Sequence, residues 1–120
     1  MNTRIIAVVD DMFFAAKIRG AAGLTNTTID FARSPASVIE LAKESKAALI
    51  IIDLHSPRFD VFELARQFKT DESLRDVHLL GFYSHVHVEL QRKAKDAGFD
   101  RVMPRSVFSK HLIEILQLKF

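Results

Sequence analysis

Five short apolar runs, each followed by a stretch of helical periodicity, limit what this chain can fold into. Residues 4–9 read RIIAVV, and residues 47–53 read AALIIID, apolar until the last position. Neither run alternates polar with apolar, so each reads as a strand buried on both faces, as the central strands of a parallel sheet are. Residues 27–33 (TTIDFAR) do alternate and read as an edge strand. Residues 77–84 (VHLLGFYS) and 100–104 (DRVMP) complete the set. Between them lie helical patterns at 11–23, ending at Gly23, at 36–46 behind a Ser34 cap and Pro35, and at 60–70 and 88–98. A last helix is expected over 106–120, with Phe108, Leu112, Ile115 and Leu116 for the core. Parallel strands need crossover helices, so this order predicts an α/β fold: a (βα)5 doubly wound parallel five-stranded sheet, in one domain over 1–120.

Composition removes several alternatives. There is no Cys, hence no disulfide, thiolate metal site or Cys nucleophile. The N-terminal apolar stretch is too short and too charged for a signal peptide, and nothing approaches a membrane span of about 20 apolar residues. The expected location is cytoplasmic. Net charge is only +2 and the basic residues are scattered, so no nucleic acid partner is expected. QRKAKDAG reads as a solvated helix face. No GxxxxGK[ST] follows a strand, and GAAG does not open a helix, which removes phosphate-loop nucleotide binding. The five His are too dispersed for a structural zinc site.

The chemistry gathers at strand ends. Asp10 and Asp11 end the first strand and Asp53 ends the third. Sites in open parallel sheets form outside the carboxyl ends of strands, and strands one and three are neighbours in the doubly wound order. Any one Asp there is an ordinary turn residue. Three together repel by about 4 kcal/mol per pair at ~4 Å and an effective dielectric of 20. A hard divalent cation with oxygen ligands cancels that, and Mg²⁺ suits such a site. Phe13 and Phe14 follow the acids; adjacent helical residues diverge by about 100°, so one is expected to be exposed beside the site, a surface for a partner helix. Ile113, Leu118 and Phe120 are apolar surplus on the last helix and suggest self-association, a homodimer through the fourth and fifth helices.

The stretches VVDD at 8–11, IIIDLHSP at 50–57, FYS at 82–84 and GFDRVMPRS at 98–106 resemble the response-regulator receiver domains of two-component signalling, in particular the stand-alone chemotaxis regulators. The resemblance runs end to end and implies a flavodoxin-like order of the sheet. It implies that Asp10 and Asp11 bind Mg²⁺ (or Mn²⁺), that Asp53 shares the metal and is the phosphoacceptor, and that the backbone carbonyl of His55 is a further ligand. Pro57 matches the family's loop proline. Ser84 takes the place of the hydroxyl that contacts phosphoryl oxygens, and Arg105 that of an essential Lys. A histidine kinase or histidine phosphotransfer protein would be the donor, with a downstream target protein for output. No enzymatic turnover is implied beyond self-phosphotransfer and autodephosphorylation, and no extra acid/base residue or substrate lid supports a phosphatase acting on other molecules.

The pattern also departs from the family. Arg105 is a broad planar cation in place of a compact ammonium, preceded by Pro104 and followed by Ser106. His85 follows Ser84 where a small residue is usual. Val102 stands where an aromatic usually swings inward, and Tyr83, one residue before Ser84, should point to the opposite face. Val61 replaces a Gly after Asp60, and HSP replaces the common Met before Pro. Two readings stay open: an atypical working receiver, and a pseudo-receiver serving as a phosphorylation-independent interaction module.

Overall fold

A computed structural model describes residues 3–57, 60–84 and 88–119. The elements are β1 (Thr3–Val8), α1 (Met12–Leu24), β2 (Thr27–Phe31), α2 (Pro35–Glu44), β3 (Leu49–Asp53), α3 (Val61–Thr70), β4 (His78–Tyr83), α4 (Val88–Ala97), β5 (Arg101–Pro104), α5 (Arg105–Lys110) and α6 (Leu112–Leu116). The sheet has the order β2-β1-β3-β4-β5 with every pairing parallel. The doubly wound (βα)5 expectation holds, and β1 and β3 are neighbours, with Val8 opposite Ile52.

The pleat explains the unbroken apolar runs. Ile6, Val8, Ile50 and Ile52 point into a core closed by Val38 and Ala42 of α2, Leu64 and Phe68 of α3, and Ala94 of α4. Their neighbours Ile5, Leu49 and Ile51 point the other way, into a core closed by Phe14 and Ile18 of α1 and by Phe108, Leu112 and Ile115. Successive residues therefore serve opposite layers, and no position is left for a polar side chain. In the second layer the rings of Phe14, Phe82 and Phe108 form a triangle, Phe82 lying 5.0 Å from Phe14 and 4.9 Å from Phe108, and those two 5.6 Å apart. Such ring pairs add about 0.5–1.5 kcal/mol beyond area burial.

Several boundaries differ from the sequence reading, each for a local reason. Asp11 is the cap of α1, not its first residue: its Oδ1 accepts the N–H groups of Phe13 and Phe14. Gly23 does not stop that helix. The stop is Thr25, whose hydroxyl donates to the Ala21 carbonyl at 3.1 Å, followed by Asn26 at a left-handed φ of 55°. The edge strand ends at Phe31, where the capping box of Ser34 and Ser37 takes over the backbone. The last helix is not one piece over 106–120. His111 (φ −108°, ψ 21°) divides it into α5 and α6. The bonds from His111 N–H to Val107 and from Ile115 N–H to His111 continue across the joint, so Phe108, Leu112, Ile115 and Leu116 are all buried as expected. Phe120 lies outside the described residues. Among the described residues, no helix is long and apolar enough to cross a membrane.

At the end of α4, Gly98 adopts φ +113° beside Lys69, whose ammonium holds Asp100 at 3.1 Å. Asp100 in turn accepts the N–H of Leu79 at 2.8 Å, which seats the turn into β5. A Cβ at residue 98 would lie 2.5 Å from Lys69 Cγ. Gly98→Ala is therefore expected to destabilise the domain by about 1–2 kcal/mol, from left-handed strain plus displacement of Lys69. Urea denaturation of the two proteins measures it. Phe108→Ala, which empties the end of the ring stack, is expected to cost about 3–5 kcal/mol in the same assay.

Candidate functional site

Asp10, Asp11, Asp53, Ser84 and Arg105 all stand at the carboxyl edge of the sheet, because each follows or ends a parallel strand. Asp53 closes β3 opposite Phe82 of β4 and is half-buried. Its Oδ1 accepts the His55 N–H at 2.9 Å, which turns the chain sharply out of the strand. The Ser56 N–H then bonds the Asp53 carbonyl. The buried Ser56 hydroxyl donates to Asp10 Oδ2 at 2.9 Å, tying the β3–α3 loop to the end of β1. His55 and Pro57 are exposed.

Asp11 carries the densest set of contacts. One oxygen caps α1; the other accepts from Arg105 at 2.8 Å. The Arg105 guanidinium also lies 4.2 Å over the Phe14 ring. A planar cation can use its edge for a carboxylate and its face for an aromatic at once; an ammonium cannot. The positive charge beside the acidic pair is thus Arg105 itself. Among the described residues, no group of three or more His, Asp or Glu side chains is placed to hold a metal ion. The three carboxylates share one edge, but in this arrangement each is drawn to a separate donor: Asp10 to Ser56, Asp11 to Arg105 and Asp53 to the His55 N–H. The oxygen-only donor set still has the chemistry a hard divalent cation requires.

The acids differ electrostatically. Arg105 first, then the Phe14 N–H, hold Asp11 below its ordinary value of 3.8, with the Phe13 N–H adding to them against partial desolvation. Burial pushes Asp53 above 3.8, against the His55 N–H and the charges of His55 and Arg105, while the charge of Asp10 adds to the rise.

The remaining expected residues fall as follows. Ser84 is exposed at the end of β4, while Tyr83 is buried on the α2–α4 side, its hydroxyl bonded by the Gln91 amide of α4. Val102 packs against that same layer. His85 lies outside the described residues. The aromatic pair needs a correction as a partner surface: Phe14 is a core residue, 5% exposed and locked between Phe82, Phe108 and Arg105, because its position on α1 faces the sheet. Phe13 is 91% exposed, beside Met12 at 83%. Sequence reading missed Ser56. Its signal was a small hydroxyl three residues after a strand-ending Asp, within reach of a second one.

Stability should report the opposite signs of Asp11 and Asp53. The lowered Asp11 stabilises the fold above 3.8, and that contribution is lost as pH falls through its folded value. The raised Asp53 does the reverse: its buried charge costs stability above its folded value, and the cost is relieved as pH falls through it. At pH about 7, Asp11→Asn is expected to lower the urea midpoint and Asp53→Asn to raise it, both differences shrinking near pH 3. Carboxyl NMR titration of Arg105→Ala should show Asp11 moving back up.

No family model matches this sequence. The response regulator MprA of Mycobacterium ulcerans (strain Agy99) is 23% identical over 113 residues, covering 94% of this chain and 48% of the relative. The chain thus spans about half the length of the curated relatives it matches. Among solved structures, chemotaxis response regulator CheY4 of Vibrio cholerae superposes with a TM-score of 0.83 at 15% identity, over 100% of both chains. The receiver domain of the sensor histidine kinase PA1611 from Pseudomonas aeruginosa PAO1 gives a TM-score of 0.83 at 16% identity, over 98% of this chain and 97% of its own. That structure has a magnesium ion coordinated in its active site cleft. The chain thus has the fold of the CheY-like response-regulator receiver domains.

Proposed function

We propose that the chain is a phosphoacceptor switch in a two-component or phosphorelay system. An Asp53 oxygen attacks the phosphorus of a phosphohistidine on a histidine kinase or histidine phosphotransfer protein. The P–O bond forms as the P–N bond breaks, and the released imidazole takes up a proton. The observation that carries this reading is the state of Asp53. It is a desolvated strand-end carboxylate with its Oδ1 fixed by a backbone N–H and both Asp10 and Arg105 close enough to influence its charge. A desolvated carboxylate is a better nucleophile than a hydrated one, and phosphoryl transfer otherwise needs mainly positioning and charge neutralisation.

Mg²⁺ or Mn²⁺ would be held by Asp10, Asp11, Asp53 and the His55 carbonyl, and would supply neutralisation of the incoming phosphoryl oxygens. For Asp11 to turn Oδ2 toward such an ion, Arg105 would give up its bond to that oxygen and would then be available to the phosphoryl group alongside the Ser84 hydroxyl. Output then runs through protein contacts around α4, β5 and α5. Val107 of α5 and Ile113 of the adjoining α6 are exposed, a surface for a target protein or for a second copy in a homodimer. With no membrane segment in this reading, the domain works in the cytoplasm.

A second reading, the phosphorylation-independent interaction module, is favoured by one observation: the Arg105 guanidinium pairs with Asp11 at 2.8 Å and offsets its charge. One experiment separates them. Incubated with Mg²⁺ and acetyl phosphate, the protein should gain the mass of one phosphoryl group, and Asp53→Asn should gain none. A beryllofluoride mimic should shift the amide spectrum around residues 53, 84 and 105. No mass gain and no spectral difference between the two proteins would leave the interaction module standing alone.

A further inference from the structure

On the opposite flank of β1 from Asp53, the structure forms a cavity of about 340 Å³ between α1 and the end of β2. Its walls include Met12, Arg19, Phe31, Ala32 and Arg33, with Asp10 at one rim. The Arg19 guanidinium lies 4.3 Å over the Phe31 ring. Arg4, Arg66, Arg92 and Arg105 each pair with a carboxylate, whereas Arg19 and Arg33 have no acidic partner among the described residues.

Two guanidiniums from separate elements therefore converge on one concavity with their charge uncompensated. The contact with Phe31 holds the Arg19 guanidinium at this wall of the cavity. Guanidinium N–H groups are suited to phosphate oxygens, which they take in pairs. The cavity is larger than one phosphate needs, and Met12, Ala32 and Phe31 give it an apolar wall. Asp10 at the rim opposes an anion that is charged at both ends and accepts from hydroxyl groups instead.

We propose that this cavity binds a small phosphate monoester, its phosphate between Arg19 and Arg33 and its hydroxylated organic part toward Met12 and Asp10. The cavity lies across β1 from Asp53, with which it shares Asp10, and binding there needs no phosphotransfer.

The test is an amide NMR titration of the full chain, without Mg²⁺, using ribose 5-phosphate, AMP, adenosine and inorganic phosphate. Saturable shifts at residues 12, 19 and 31–33 are expected with both esters. Arg19→Gln and Arg33→Gln, made separately, should each weaken binding by about tenfold while the rest of the spectrum stays in place. Equal binding by either variant, or adenosine binding as tightly as AMP, would overturn the assignment. Inorganic phosphate binding as tightly as the esters would overturn the organic subsite, and so would the absence of any saturable shift.

Discussion

The ion pair between Asp11 and Arg105 joins the start of α1 to the start of α5 across 94 residues of chain. Much of the site's geometry depends on it. Asp11 is both the helix cap and the acceptor, so the guanidinium is held against the first turn of α1, where Phe14 offers its face. Phe14 is in turn part of the Phe82–Phe108 stack that fills the layer beneath. Charge at the rim and packing in the core are thus one mechanical unit. Any group that competes for Asp11 also loosens a cation from an aromatic ring.

This arrangement separates two carboxylates of identical chemistry. Asp11 is satisfied by three donors and holds its charge easily. Asp53, a few residues away in space, is desolvated, has one backbone donor and bears the field of Asp10. Environment alone divides them: one acid is fully paired, the other desolvated and raised. Ser56 completes the division by taking hold of Asp10 from the β3–α3 loop, so that the loop after Asp53 is anchored to the strand that leads into the other two.

The order of the fold was legible because a parallel strand covered on both faces has no polar positions, and IIAVV and ALIII carry none. The strand-end acids were legible for the same reason: the first charge after such a run marks where the chain leaves the sheet. The division of α5 from α6 at His111 was not, because the apolar spacing of Phe108, Leu112 and Ile115 passes through the joint without interruption. Nor was the fate of the acids' charge. The resemblance places Arg105 at the site edge, but whether its fork meets Asp11, Asp53 or solvent depends on Phe14, and which of Phe13 and Phe14 is exposed depends on how α1 is turned on the sheet.

The same edge of the sheet carries charges of both signs, sorted by β1. Toward β3 lie the acids, with the Arg105 guanidinium among them; toward β2 lie Arg19 and Arg33 with Asp10 at the boundary. Asp10 therefore belongs to both electrostatic neighbourhoods. Its bond to Ser56 ties it to the acidic side, where its charge raises Asp53. Turning that carboxylate away from β3 would lower the field at Asp53, so the Ser56 hydroxyl helps to hold the two acids in electrostatic contact.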